Sequence, residues 1–297
     1  LVAKLVHRID NDDTDVLIKL YVAASKHFQD GGVHRIKHNM PPLVFASLRL
    51  ARKVRDREAA ATAEGSDGDI AVEAPQYSTR KVFHFILQIT RAISAAKEFD
   101  MALQLFLMAA NAADECCFPQ IAYELFKDAP ILFETEVETE KSKVRALVSM
   151  IGTLLNCNNF TADDYDIVTR KLCQYSGKRL KTIDRCRMIT LSSHLFWPPP
   201  NADGKNRFAD DEETNQKSVE CMKKAISIVR DEFNAGLFIE ILNRYLYHFE
   251  QKNPAFEVKF LSGLIALINN QLQAGSVGQP PEEQVEVFYL NTLKYLQ

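Results

Sequence analysis

Histidine is the residue type in this chain best suited to metal binding or acid–base catalysis. The seven histidines are dispersed, and only His34 and His38 have the i, i+4 spacing that places two imidazoles on one side of a helix. Gly31, Gly32 and Pro41 flank this pair and predict a loop, so we expect no metal site there. Motifs for phosphate cradles, dinucleotides, nucleophile elbows and zinc proteases are absent. The sequence therefore predicts neither an enzyme nor a bound cofactor.

The six cysteines form no C-x-x-C pair. Cys116 and Cys117 are adjacent, a spacing that rarely closes a disulfide, and the others lie within helical patterns. In such patterns cysteine behaves as a small apolar residue. We expect free thiols and a reducing, cytosolic environment.

Two runs of charged residues either contact a protein partner or are simply exposed to solvent. The acidic run consists of Glu134, Glu136, Glu138 and Glu140, and the basic run of Lys178, Arg179 and Lys181. A metal or acid–base role for the carboxylates is a further alternative, and a solvated helix end is the simplest. Opposite patches on one surface can also meet across a two-fold axis and join two copies of the chain.

The elements that must position these residues are helices. Glycine and proline are scarce, at 11 each, and apolar residues recur at helical spacing with no strand-like alternation. Pro41-Pro42 is expected to open the second helix, because proline at the first helical position loses no needed hydrogen bond. The predicted helices cover 16–28, 43–54, 82–96, 101–113, 121–137, 141–157, 163–175, 180–196, 213–233, 237–251, 255–272 and 282–296.

Three linkers interrupt this series without marking a domain boundary. Residues 57–79 contain few large apolar side chains and predict a mobile insertion, while 198–214 and 273–283 predict loops. Helix pairs of about 35–45 residues favour stacked antiparallel pairs of the HEAT kind over a bundle. We therefore predict an all-α fold, a single HEAT-like solenoid over residues 1–297.

Segment 237–251 has the broadest apolar stripe. Its members are Phe238, Leu242, Tyr245, Leu246 and Phe249, with Ile239 and Ile241 on the flanks. Asn243, Arg244 and Tyr247 fall on the other side, together with Glu240. They either cover a neighbouring helix or face a partner, since Tyr and Arg are enriched at interfaces. Trp197, the single tryptophan, is either a core anchor or a contact residue.

Charge and hydropathy exclude two classes of partner. The net charge of −3 is not that of a nucleic-acid-binding chain. No apolar stretch reaches the roughly 18–20 residues of a membrane-spanning helix, and no signal peptide is recognisable. The chain opens at Leu1 without a methionine, so we expect a fragment of a longer protein.

Several strings resemble the large subunit of retromer, the vacuolar protein sorting protein 35 family. They are KHF at 26–28, GG at 31–32, PPLVFA at 41–46, LFL at 105–107, IGT at 151–153, HLFW at 194–197, CMKKA at 221–225 and LFIEILNRY at 237–245. They occur in the family's order and span nearly the whole chain, but they match only the family's C-terminal region.

The resemblance implies a HEAT-like solenoid that wraps the phosphoesterase-like small retromer subunit with its concave side. It also implies a cytoplasmic coat, peripheral on the endosomal membrane, that sorts cargo, with membrane association indirect. The arrestin-like subunit would bind the absent N-terminal part. The implied self-association into arches uses the acidic and basic runs. The partner-binding candidates are then Asn243, Arg244, Tyr247, His194 and Trp197.

Overall fold

The chain folds into helices that form two compact units. The computed structural model describes residues 2–63, 73–178, 180–200, 204, 206–230, 234–275 and 283–295. Every regular element among these residues is helical, which confirms the predicted all-α class. The contacts divide the chain into Leu1–Tyr165 and Asp166–Gln297. A single solenoid over the whole chain stays a prediction.

In the first unit most helices pack against helices one or two places away in the chain. Its helices are α1 Val2–Val6, α2 Thr14–Asp30, α3 Val33–Ala63, α4 Thr79–Ala95, α5 Phe99–Glu115, α6 Pro119–Phe126, α7 Asp128–Thr135 and α8 Glu140–Asn156. Helix α5 lies in the middle and contacts α3, α4, α6, α7 and α8. Its alanines and leucines are therefore buried on more than one side, and it carries ten buried residues.

The second unit follows the same packing pattern, and the boundary between the units falls in the first turns of α9. Its helices are α9 Ala162–Lys178, α10 Thr182–Ser192, α11 Glu212–Arg230, α12 Ala235–Glu250, α13 Val258–Gly275 and α14 Glu283–Tyr295. A 3₁₀ turn, Ser193–Leu195, extends α10. Helix α12 contacts α10, α11, α13 and α14. Stacking on sequence neighbours is the packing of a helical-repeat solenoid.

The prediction that Pro41-Pro42 opens a helix is wrong, because both prolines lie inside α3. The loop predicted around His34 and His38 is also wrong, because both histidines lie within α3. Proline has the φ of a helix, but inside one it removes a backbone hydrogen bond and its ring crowds the carbonyl of the preceding turn. Met40 before the pair and Leu43 after it are fully buried. The burial of these two side chains stabilises a continuous helix across a proline pair that is typical of a helix start.

Two other boundaries also differ from the prediction. The helix predicted over 121–137 is two helices, α6 and α7, which meet at Lys127. The predicted insertion 57–79 is ordered at both ends, since α3 continues to Ala63. The Arg57 guanidinium donates to the Glu73 carbonyl oxygen at 3.0 Å, and the Thr79 hydroxyl donates to Glu58 at 2.6 Å. Residues 64–72 lie outside the described residues, so their predicted mobility stays a prediction.

Three helices end on a left-handed residue that is not glycine. Lys97 after α4 and Cys117 after α5 both have φ of 64°, and Lys252 after α12 has φ of 58°. The next residue in each case donates its N–H back to the helix, as Asn253 does to the His248 carbonyl oxygen at 3.1 Å. This is the Schellman closure, usually made by glycine. Although no glycine marks these turns, the predicted helix ends at 96, 113 and 251 lie within two residues of the observed ends.

The buried carboxylate of Asp114 anchors the connection between α8 and α9. Asp114 is 3% exposed. It accepts hydrogen bonds from the Asn158 N–H at 2.8 Å and the Asn159 N–H at 3.1 Å, and the Asn159 side-chain amide donates to the Asp114 carbonyl oxygen at 2.8 Å. One side chain therefore satisfies two backbone donors that the loop cannot pair by itself.

Replacing this carboxylate should destabilise the first unit. Asp114→Ala leaves two backbone N–H groups without a partner, so we expect a loss of about 2–3 kcal/mol in the free energy of unfolding. Urea denaturation followed by circular dichroism measures it. Asp100→Ala is the matched control, because exposed Asp100 accepts one bond from Ser142 and should cost less than about 0.5 kcal/mol. Equal losses for the two variants would contradict the anchoring role.

Candidate functional site

Helix α12 carries three of the five candidate partner-binding residues, Asn243, Arg244 and Tyr247, on a deeply buried scaffold. The Asn234 side chain caps it by accepting from the Leu237 N–H at 3.1 Å. The predicted stripe is confirmed except at one end. Phe238, Leu242, Tyr245 and Leu246 are buried with both flanking isoleucines. Phe249 is 38% exposed, because it lies in the last turn, just before the chain reverses at Lys252.

Three predicted partner-binding residues meet at one place. The His194 ring, in the 3₁₀ turn, lies 4.9 Å from the Tyr247 ring in an edge-to-face arrangement. Its Nε2 is 3.5 Å from Nη1 of Arg244. His194 is buried, Tyr247 is half-buried and Arg244 is exposed. An aromatic ring and a guanidinium are thus held side by side at the surface of the second unit.

The other two candidates differ in their surroundings. The Asn243 Oδ1 accepts a hydrogen bond from the Thr292 hydroxyl at 3.1 Å, which ties α12 to α14. Asn243 is half-buried. Trp197 is 6% exposed, and its N–H donates to the His194 carbonyl oxygen at 3.2 Å. This burial fits the alternative in which Trp197 is a core anchor beside the site.

Sequence reasoning missed His248, which lies beneath the other three residues and is fully buried. Its ring stacks on His194 at 4.7 Å and on Phe256 at 4.7 Å. Its Nε2 is 2.9 Å from the Ser193 hydroxyl, whose proton goes to the Thr190 carbonyl oxygen at 2.7 Å. The network therefore assigns the imidazole proton to Nε2. A signal existed, because positions 241, 245 and 248 share one helix face.

Burial keeps both imidazoles of this cluster neutral. It lowers the pKa of His194 to about 4, with Arg244 adding a smaller effect. Burial also lowers the pKa of His248 to about 2, helped by His194 and Arg244. At neutral pH the positive charge of the cluster therefore belongs to Arg244. The neutral His194 Nε2 can accept from that guanidinium, which orients it.

The charged runs take defined positions, each within one unit. Glu134, Glu136 and Glu138 are exposed, and Glu140 is half-buried as the first residue of α8. Glu136 and Glu138 line a cleft of about 470 Å³ in the first unit. In the second unit, exposed Lys178 ends α9 and exposed Lys181 precedes α10. Arg179 lies outside the described residues.

The part of the chain that the structure describes holds no group of three metal-ligating side chains. His34 and His38 lie one turn apart on α3, and both are exposed. Among the described helices none combines the length and apolar character needed to cross a membrane.

The fold defines the class first: helices stacked on their chain neighbours make this a helical-repeat protein. A family model described as vacuolar protein sorting-associated protein 35 matches residues 1–271. The chain is 35% identical to vacuolar protein sorting-associated protein 35A of Arabidopsis thaliana over 310 residues, and 30% identical to the Dictyostelium discoideum protein over 302 residues. Each alignment covers 100% of this chain and 36% of the relative. The chain belongs to the vacuolar protein sorting-associated protein 35 family, which confirms the resemblance seen in its strings.

The buried histidines predict that acid destabilises the second unit. In the unfolded chain the ordinary histidine pKa of 6.5 applies, above the folded values for both rings. Above about pH 7 the two imidazoles are neutral in both the folded and the unfolded state. Below that pH they bind protons in the unfolded chain but not in the folded unit. The free energy of unfolding should fall by about 1 kcal/mol per imidazole and pH unit between about pH 6.5 and pH 4.5. Urea denaturation followed by Trp197 fluorescence measures it.

A single substitution separates these histidines from other acid effects. His248→Phe keeps a ring in the stack and removes one titrating group, while the Ser193 hydroxyl keeps its bond to Thr190. The slope of stability against pH should drop to about half of the wild-type value. A slope that does not change would show that His248 takes no part in the acid response.

Proposed function

We propose that this chain is a protein-binding scaffold of the retromer coat in endosomal cargo sorting and retrograde transport. Family membership supports this proposal, since the relatives are named for vacuolar protein sorting. The chain spans about a third of their length, 36%. In the full-length protein the arrestin-like subunit would bind elsewhere. The site would be cytoplasmic, on a coat that reaches the endosomal membrane indirectly. The chain itself would catalyse no reaction.

The second unit would bind the phosphoesterase-like small retromer subunit through a surface centred on Arg244 and Tyr247. The observation that carries this proposal is the edge-to-face contact of Tyr247 with a buried, neutral His194 that also meets Arg244. A half-buried tyrosine held against a rigid stack gives contact area at little cost in side-chain entropy. Arg244 adds a fixed charge at the edge of that area.

The exposed ion pair beside this surface contributes orientation more than energy. Arg187 of α10 donates to the Glu240 carboxylate at 2.9 and 2.7 Å. Both side chains are well exposed, at 48% and 39%, so the pair adds little stability. It lies between α12, which supplies Arg244, and α10, which leads into the 3₁₀ turn that supplies His194.

Truncating the surface residues should weaken binding to the small subunit. Tyr247→Ala and Arg244→Ala should each cost more than about 1 kcal/mol, roughly a fivefold rise in Kd, because both fill the centre of the contact. Isothermal titration calorimetry measures it. Lys223→Ala, at an exposed position on α11, is the control and should leave Kd unchanged. A Kd that neither substitution changes would show that Tyr247 and Arg244 only pack against neighbouring helices. If the wild-type chain gives no heat and does not co-elute with the small subunit, the proposal fails.

A second candidate function is homotypic assembly through the two charged runs. The exposure of Glu134, Glu136 and Glu138 in one unit and of Lys178 and Lys181 in the other favours it. Exposed opposite charges steer association and fix register, and salt at ordinary ionic strength screens their attraction beyond about 10 Å.

Charge reversal tests this assembly. Replacing Lys178, Arg179 and Lys181 by Glu should abolish dimers seen by light scattering at low salt, because the acidic run would then face acids. Added salt should weaken the wild-type dimer in the same assay. A wild-type chain that stays monomeric at low salt would contradict the idea.

The control for charge reversal alters the same net charge elsewhere in the second unit. The residues reversed to Glu in this control are the exposed Lys223, Lys259 and Lys294. The control should leave the dimer intact. Equal loss of dimer in both triple variants would indicate a general charge effect and no specific patch.

A further inference from the structure

A cleft of about 420 Å³ lies between α2 and α4 of the first unit. Its floor is apolar, since Ile18 and Phe85 are buried there and Val22 is 48% exposed. The lining residues of α2 run from position 18 to position 29. At about 1.5 Å per residue the cleft is therefore about 16 Å long, enough for about five residues of extended peptide.

Positively charged side chains surround this floor. Lys26, Lys81 and His84 line the cleft and are exposed. The Nζ atoms of Lys19 and Lys81 lie 5.8 and 5.6 Å from the centroid of the Tyr77 ring, which also lines the cleft. Cation–π contact therefore holds two ammonium groups beside one ring. Lys19, Lys26 and Lys81 are called the cleft lysines below.

No carboxylate offsets this charge within the cleft. None of the described residues that line it is acidic, and the cleft lysines form no ion pair with any residue that the structure describes. The Asp15 carboxylate, which holds the backbone before α4, is already engaged. It accepts from the Gln76 N–H at 3.1 Å and from the Tyr77 N–H at 3.0 Å. The cleft is therefore a positive surface without a counter-charge.

Charge and apolar surface alternate along both walls of the cleft. On α2, Lys19, Val22 and Lys26 have i, i+3 and i+7 spacing, which places them on one side of the helix. On α4, Lys81 is followed one turn later by Phe85. A ligand that lies along the cleft therefore meets a cation, then apolar surface, then a second cation.

We propose that this cleft binds a short acidic segment of a partner protein, in which carboxylates flank one large apolar side chain. The apolar side chain lies on Ile18, Val22 and Phe85, and the carboxylates on either side pair with the cleft lysines. A free phosphate or a lipid headgroup would leave the apolar floor uncovered, whereas such a peptide covers both kinds of surface. The proposal does not rest on binding of the small subunit, whose proposed site lies in the second unit.

Fluorescence anisotropy tests the proposal on the purified chain. The probes are fluorescein-labelled nine-residue peptides of alternating Asp and Glu, with Phe, Leu or Ser at the central position. The Phe and Leu peptides should bind. The Ser peptide should have a Kd at least about fivefold higher, because it lacks the apolar side chain. If the Ser peptide binds as tightly as the others, or if no peptide binds, the proposal is overturned.

Charge reversal shows where the peptides bind. Replacing the three cleft lysines by Glu should raise the Kd of the Phe peptide at least about tenfold, because the cleft would then repel carboxylates. The matched control replaces the exposed Lys223, Lys259 and Lys294 of the second unit by Glu. It alters the net charge equally and should change Kd by less than about twofold. Equal weakening in the two triple variants would indicate a general charge effect and contradict a specific cleft.

A milder variant keeps the test independent of any folding defect in the charge reversal. Val22→Ser alters an exposed position of the floor and should at least halve the preference for the Phe peptide over the Ser peptide, by roughly the lost apolar contact. An unchanged preference would show that the apolar side chain binds elsewhere. Cosedimentation of the chain with phosphatidylserine vesicles, without binding of the peptides, would assign the basic surface to a membrane and also overturn the proposal.

Discussion

The stack of two neutral imidazoles holds the candidate site of the second unit together. His248 lies between His194 and Phe256 with no exposed surface. The stack therefore connects the turn after α10 to α12 and to the segment that leads into α13. Two protonated imidazoles in contact would repel each other, and burial keeps both rings neutral by disfavouring their charged forms. Arg244 and Tyr247 are positioned by this stack, which has no freedom to rearrange without exposing its rings.

A surface built this way suits recognition of a folded partner. The cost of fixing side chains is borne during folding, because Tyr247 and Arg244 already have their neighbours. The residues beside the stack differ in kind, since Tyr247 presents a ring and Arg244 a guanidinium. Such a set can match one partner's shape and charge, while the core beneath it belongs to helix packing common to repeat proteins.

Helix periodicity was enough to predict the fold class, because amphipathic helices that shield one another repeat the same apolar spacing. Predictions failed where a local signal met a stronger tertiary contact. Pro41-Pro42 has the pattern of a helix start, yet the burial of Met40 and Leu43 carries α3 through it. Such contacts between distant residues leave no mark on a single sequence. The helix ends before Lys97 and Lys252 lack glycine, yet apolar spacing predicted both to within one residue.

The candidate site was predictable in part, and for the same reason. Arg244 and Tyr247 stood out in the sequence because they lie on the side of the helix opposite its broad apolar stripe. Their contact with His194 joins residues about fifty positions apart, which periodicity does not show. The burial of His248 was predictable from the helix face that it shares with Ile241 and Tyr245, but its stacking on His194 and Phe256 was not.

Tyr245 shows how far one oxygen atom can decide local order. Its hydroxyl donates to the Glu257 carbonyl oxygen and accepts from the Glu257 N–H, each at 2.9 Å. The phenol thereby pairs both backbone polar groups of Glu257, just before α13 begins, as a neighbouring peptide unit would. A tyrosine kinase needs a free, solvent-facing phenol. Tyr245 would therefore become a substrate only after its two hydrogen bonds to Glu257 have broken and α13 has moved away from α12. Phosphate at that position would then report on local opening.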